Sequence, residues 1–135
     1  MEAVSNSGSV PSILIAEDDR VICEMLAKVI QRKYREVTLY CAGNGQIGVD
    51  LFKEHRPDIV ITDINMPVMD GIEMVAAIKA IQADAHFIVM TAYSDKAYFE
   101  KFSAIGFCAN LLKPIMLPTL FAAIDKCWDE IRGTG

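Results

Sequence analysis

Several of the residues able to do chemistry in this chain stand where apolar runs end. The run Ile59-Val-Ile61 passes through Thr62 into Asp63, and Pro67 and Gly71 break the pattern soon after. The run Ser12-Ile-Leu-Ile-Ala16 ends in three acids, Glu17, Asp18 and Asp19. His86-Phe-Ile-Val-Met90 ends at Thr91, and the stretch from Phe107 to Leu112 ends at Lys113-Pro114. Polar residues commonly close strands because loops face water. That accounts poorly for an acid cluster, a lone Asp, a hydroxyl and a Lys-Pro pair on four separate elements. Clustered carboxylates repel one another unless a cation or proton relieves them. An all-oxygen acidic site suits Mg²⁺, which takes a few carboxylates and keeps several waters. Such a cation neutralises phosphoryl oxygens, while an ammonium and a hydroxyl can hold others. Aspartate is itself a nucleophile toward phosphoryl groups, giving an aspartyl-phosphate. The chemistry indicated is Mg²⁺-dependent phosphoryl transfer to Asp63.

The elements that must position these residues alternate. Each short apolar run closed by turn residues reads as a buried strand. Glu36 to Cys41 adds a second strand, so the strands run 12–16, 36–41, 59–63, 86–91 and 107–112. Between them lie one-faced helical patterns with apolar residues three and four apart. The first carries Ile22, Met25, Leu26, Val29 and Ile30, with Asp18 or Asp19 able to cap its start. The second follows the Gly43-Asn-Gly45 turn through Ile47, Leu51 and Phe52, and stops before Pro57. Asp70 caps the third, through Ile72, Val75 and Ile78. Ser94 caps the fourth, through Tyr98, Phe102 and Ile105, which stops at Gly106. The last starts near Pro118, and its apolar stripe is Leu117, Leu120, Phe121, Ile124, Cys127, Trp128 and Ile131. Strand and helix repeated five times predict a parallel sheet with helices on both faces and right-handed crossovers. In such a sheet ligands bind at the carboxyl ends of the strands, where Asp63 lies. His86 starts its strand at the opposite end, away from the chemistry. His55, in a last helical turn, reads as a partner of the helix dipole.

The chain has 135 residues, 53% of them hydrophobic, enough for one domain with a real core. The expected division is a flexible tail at 1–11, the domain at 12–132, and a short end at 133–135. A net charge of −5 argues against a nucleic-acid or anionic-membrane surface on this domain. No run approaches a membrane span and no signal-peptide pattern opens the chain, so the expected location is cytoplasmic. Cys23, Cys41, Cys108 and Cys127 form no C-x-x-C pair and have apolar neighbours. They are expected to be small core hydrophobes in a reducing compartment, not a metal or redox site.

Four pieces, Ile13-Leu-Ile-Ala-Glu-Asp-Asp19, Pro57 through Gly71, Val89-Met-Thr-Ala92 and Gly106 through Pro114, occur together and in order. In these the chain resembles the receiver domain of two-component response regulators, over roughly residues 12 to 132. The resemblance implies a flavodoxin-like, doubly wound five-stranded parallel sheet of order 2-1-3-4-5. It implies that Asp63 accepts phosphate from a phosphohistidine on a partner histidine kinase or phosphotransfer protein. It maps Asp18, Asp63 and the backbone carbonyl of Asn65 to the Mg²⁺ shell, with Glu17 acting through water and Asp19 opening the helix. Lys113 would pair with a phosphoryl oxygen, its bond to Pro114 cis. Thr91 would move toward the phosphoryl group and report its presence. A downstream protein would dock on the face made by the fourth helix, fifth strand and last helix.

The sequence departs from the family three residues before that lysine. Most members carry Tyr or Phe there, and this chain carries Asn110. Phe107 cannot substitute, because side chains alternate across a strand. The phosphorylation chemistry is expected to be untouched, but the output is not expected to run through a rotamer swap at residue 110. The resemblance places Asn65 and Tyr93 beside the path of an attacking water, and Tyr93 is expected to shield the phosphoryl group. Two rival readings remain at this level. A phosphohydrolase of the haloacid dehalogenase type wants an Asp two residues after its nucleophile as general acid, where this chain has Asn65. A degenerate receiver acting as a constitutive binding module is opposed by the intact Asp63, Asp18, Thr91 and Lys113 set.

Overall fold

The computed structural model describes residues 10–92, 100, 106 and 108–133. Five strands, β1 (Ser12–Ala16), β2 (Thr38–Ala42), β3 (Ile59–Asp63), β4 (His86–Thr91) and β5 (Ala109–Leu112), form one sheet. Their order is β2-β1-β3-β4-β5 and every pairing is parallel. This is the flavodoxin-like doubly wound order that the resemblance implied, and a parallel sheet with helices on both faces as the alternation of strands and helices predicted. The helices are α1 (Arg20–Lys33), α2 (Gly45–His55), α3 (Gly71–Ile81) and α4 (Leu117–Gly133). The helix expected from Ser94 through Tyr98, Phe102 and Ile105 lies outside the described residues, as do Tyr93 and Phe107.

The central strands are continuous apolar runs because both faces of the sheet are covered. Alternate residues feed two cores. Ile13, Ile15, Ile59, Ile61, Ile88, Met90 and Leu111 pack with α1 and α4 residues such as Leu26, Ile30, Leu120 and Ile124. Leu14, Val60, Phe87 and Val89 pack on the other face with Phe52, Met74, Val75 and Ile78 of α2 and α3. All of these strand residues are at most 3% exposed, so a one-residue slip would invert both cores at once. The register therefore fixes which residues arrive together at the carboxyl edge.

Side-chain caps set the helix starts. Asp19 accepts from the Val21 and Ile22 N–H groups, which settles the choice between Asp18 and Asp19. Asn44 caps α2 and Asp70 caps α3, the latter in a reciprocal capping box with Glu73. Gly45, read as part of a turn, is instead the first residue of α2. β2 begins two residues later than the sequence indicated, because Tyr34 to Val37 are spent turning out of α1. β5 likewise begins at Ala109, although the Cys108 N–H already bonds to Phe87 O at 2.7 Å. His55 does lie in the last turn of α2, where its ring stacks on Tyr40 with centroids 4.3 Å apart. Among the described residues, no helix is long and apolar enough to cross a membrane.

Candidate functional site

The parallel register brings the ends of β1, β3, β4 and β5 to one edge. Ala16 pairs with Thr62, Asp63 with Met90, and Thr91 with Leu112. Glu17 and Asp18 follow β1 directly, Asp63 closes β3, Thr91 closes β4, and Lys113 follows β5. The bond from Lys113 to Pro114 is cis, as the resemblance implied.

Asp63 is 4% exposed, and its two carboxylate oxygens have different partners. Oδ1 accepts from the Ile64 N–H at 2.8 Å, and Oδ2 takes the Lys113 ammonium at 2.7 Å. Glu17, Asp18 and Asp63 each offer a carboxylate oxygen, and these oxygens all lie within 4.8 Å of one another. Glu17 is held in place from two sides: its N–H donates to Ala42 O at 2.9 Å, and its Oε2 accepts from the Asp19 N–H at 3.0 Å. Burial pushes the Glu17 carboxyl up to about 7, and the nearby Asp63 charge and a side-chain hydrogen bond with Asp18 add to this. The Asp19 N–H and the Lys113 charge pull the other way. Three carboxylates against one ammonium leave an excess of negative charge, and the donor set is entirely oxygen. That fits a hard divalent cation such as Mg²⁺.

The β3–α3 loop is closed down on the site. Gly71 donates its N–H to Ile64 O at 2.8 Å, and a Cβ at this position would lie 2.2 Å from Asp63 O. Only glycine lets α3 start so close to the backbone of Asp63. Asn65 is exposed within this loop.

Thr91 is 3% exposed, and its hydroxyl donates to Asn110 Oδ1 at 3.0 Å. The sequence showed residue 110 only as a missing aromatic and did not indicate this bond. The signal was present in the register. Val89 pairs with Asn110, and alternation puts Thr91 on the face of Val89 one step nearer the edge.

The cysteines only partly match expectation. Cys23 and Cys127 are buried, but Cys41 is exposed and Cys108 half-buried. Cys41 lies on β2, an edge strand with only one covered flank. The fold also pairs them: Cys23 with Cys41 and Cys108 with Cys127, each within hydrogen-bond reach. The shared hydrogen bond and burial push the Cys23 thiol up, while the same bond holds Cys41 below its ordinary value. No sequence spacing signals such pairs, because each joins two distant elements.

The fold and this edge define a class. The chain belongs to the response regulator receiver domain family, whose match covers residues 13–125. Receiver domains are signalling domains of two-component systems and work with histidine kinases or phosphotransfer proteins. The chain is 37% identical over 120 residues to the transcriptional regulatory protein PdtaR of Mycobacterium tuberculosis, covering 89% of this chain and 58% of that protein. It thus spans little more than half of that relative. It is 30% identical over 113 residues to the chemotaxis protein CheY of Halobacterium salinarum, covering 84% of this chain and 92% of CheY. Among solved structures, the N-terminal domain of a Wolinella succinogenes protein matches with a TM-score of 0.83 at 37% identity, covering 93% of this chain and 99% of that one.

Proposed function

We propose that this chain is a phosphoacceptor switch in which Asp63 takes a phosphoryl group from a phosphohistidine of a histidine kinase or phosphotransfer protein. The observation that carries this reading is the buried Asp63 carboxylate, paired with Lys113 at 2.7 Å and within 4.8 Å of two further acids. Asp18, Asp63 and the Asn65 carbonyl would hold Mg²⁺ directly, and Glu17 would do so through water. When bound, Mg²⁺ supplies the positive charge that lets an anionic phosphoryl group approach three carboxylates.

In the transfer, an Asp63 carboxylate oxygen forms the new P–O bond as the P–N bond to the donor imidazole breaks. The electron pair of that bond leaves with the imidazole. Lys113 keeps its ammonium beside the site and exchanges Asp63 Oδ2 for a phosphoryl oxygen. The Thr91 hydroxyl leaves Asn110 and donates to another. Val21, Ile22 and Met25 of α1, with Met116 and Leu117 before and at the start of α4, are exposed around this edge. An apolar rim of this kind suits docking of a donor protein. The output would be read on the side of β5 and α4, where Leu112 is 46% exposed.

The test is incubation with acetyl phosphate, with and without Mg²⁺, followed by intact mass measurement, with Asp63→Asn alongside. A Mg²⁺-dependent gain of one phosphoryl group, absent in the variant, is the expected result. A folded protein that gains none and binds no beryllofluoride is instead a constitutive docking module, with Thr91 kept on Asn110.

A further inference from the structure

A second group of potential ligands lies at the opposite end of the sheet, outside the phosphoacceptor chemistry. His86 opens β4, Cys108 directly precedes β5, and Glu130 lies near the end of α4. One ligand atom from each, an imidazole nitrogen, a thiol sulfur and a carboxylate oxygen, lie within 4.8 Å of one another. We propose that His86, Cys108 and Glu130 form a Zn²⁺ site that staples α4 to the amino-terminal ends of β4 and β5.

The donor set argues for this metal. A thiolate disfavours Mg²⁺ and Ca²⁺, which take oxygen ligands, whereas nitrogen, sulfur and carboxylate together are ordinary zinc ligands. A thiolate and a carboxylate also sum to the charge of one dication. Three protein ligands leave a fourth tetrahedral position for water, and all three residues retain some solvent access, so an ion can enter.

The ligands stand on anchored backbone. The Cys108 N–H bonds to Phe87 O at 2.7 Å, and Cys108 O accepts from Lys126 Nζ at 3.1 Å. The Cys108 thiol already points at Glu130, donating to its Oε1 at 3.4 Å. Cys127, one turn before Glu130 on α4, places its thiol beside that of Cys108. Asp58 lies close enough to His86 for the two to interact electrostatically, and its carboxylate is fixed by the Ser12 N–H at 2.9 Å. On binding, the Cys108 S–H bond breaks, its proton goes to solvent, and the sulfur electron pair forms the Zn–S bond. No oxidant or reductant is required.

The test uses the full chain, stripped of metal, kept reduced with a phosphine and titrated with Co²⁺ as a spectroscopic stand-in for Zn²⁺. One equivalent of Co²⁺ should give a thiolate-to-metal charge-transfer band and the visible bands of tetrahedral cobalt, both bleached by added Zn²⁺. Cys108→Ser should abolish the charge-transfer band. His86→Gln and Glu130→Gln should weaken binding by about tenfold or more. The double variant Cys23→Ser/Cys41→Ser should keep the band. Absence of the band in the native chain, its survival in Cys108→Ser, or its loss only in the Cys23/Cys41 variant would each overturn the proposal. Binding at Glu17, Asp18 and Asp63 gives no thiolate band, so this result stands apart from the phosphorylation test. Circular dichroism of each variant separates lost binding from lost folding, and Cys108→Ser and His86→Gln perturb different elements.

Discussion

Thr91 and Asn110 are joined by a hydrogen bond of 3.0 Å in which the threonine is the donor. A threonine hydroxyl has one proton to donate. While that proton is on Asn110 it cannot go to a phosphoryl oxygen at Asp63. On the proposed phosphoacceptor reading, Asn110 would act as a latch on the resting form, and Thr91 would have to leave it to reach a phosphoryl group. A neutral hydrogen bond contributes about 0.5–1.5 kcal/mol net, or roughly a 2–10-fold bias between two states. Asn110→Ala should tighten beryllofluoride binding in Mg²⁺ by about that factor, measured by calorimetry. Phosphorylation of Asp63 should persist in this variant, unlike in Asp63→Asn. Unchanged affinity would mean that the bond does not hold the resting state.

Glu17 makes the metal-free protein sensitive to pH. Its folded-state carboxyl is raised to about 7, chiefly by burial, from an ordinary value of 4.5. The native state thus binds this proton more tightly than the unfolded chain does. Its contribution to stability is fully present below pH 4.5 and is lost as pH rises through 7. A shift of this size corresponds to about 3 kcal/mol across the window. Chemical denaturation in a chelator, at pH values from about 5 to about 8, should show stability falling with pH from this group. Glu17→Gln should flatten that slope; an equal slope in the variant would assign it to another group.

Much of this edge was legible in the sequence because it sits on central strands. Residues 12–16, 59–63 and 86–91 are covered on both faces, so their apolar runs and their polar ends are unambiguous. Asp70 was legible as the cap of α3 because a short acidic side chain stands just before the apolar stripe, and its reciprocal capping box with Glu73 is what the structure adds. β2 and β5 were read early by two residues at their starts, both being edge strands. What the sequence hid are relations between elements. The Thr91–Asn110 bond, the two cysteine pairs and the His86–Cys108–Glu130 group each join residues with no common motif. They become visible only when the strand register and the packing of α1 and α4 are known.

Gly71 fixes the distance between α3 and the carboxyl end of β3. An added Cβ would lie 2.2 Å from Asp63 O and 3.1 Å from Ile64 Cα, both backbone atoms that cannot rotate away. Gly71→Ala should therefore shift the loop carrying Asn65, costing about 1–3 kcal/mol in denaturant unfolding. It should also slow phosphorylation by acetyl phosphate. Gly43→Ala is the matched control, since nothing lies within 4 Å of where its methyl group would stand, and it should be neutral or slightly stabilising. Equal effects at the two positions would show that backbone entropy, not the close approach, matters at Gly71.

Lys113 is both a structural counter-ion and a competitor for added cations. Its ammonium lies 2.7 Å from Asp63 Oδ2, with the Lys113 side chain 35% exposed and that of Asp63 6% exposed. Lys113→Met leaves a buried carboxylate among two other acids. The metal-free variant should lose about 1–2 kcal/mol near neutral pH, less than for a fully buried pair because water still reaches the lysine. Added Mg²⁺ then meets three carboxylates with no ammonium between them, so it should bind more tightly and recover most of the lost stability. Phosphorylation should nevertheless be slower, since no ammonium remains to hold the phosphoryl oxygen in the transition state. Melting curves with and without Mg²⁺, run beside acetyl phosphate kinetics, separate these effects. A variant that melts like the native protein without Mg²⁺ would show that the pair contributes nothing to the fold. One with tighter Mg²⁺ binding and unchanged kinetics would show that Lys113 does not touch the transferring group.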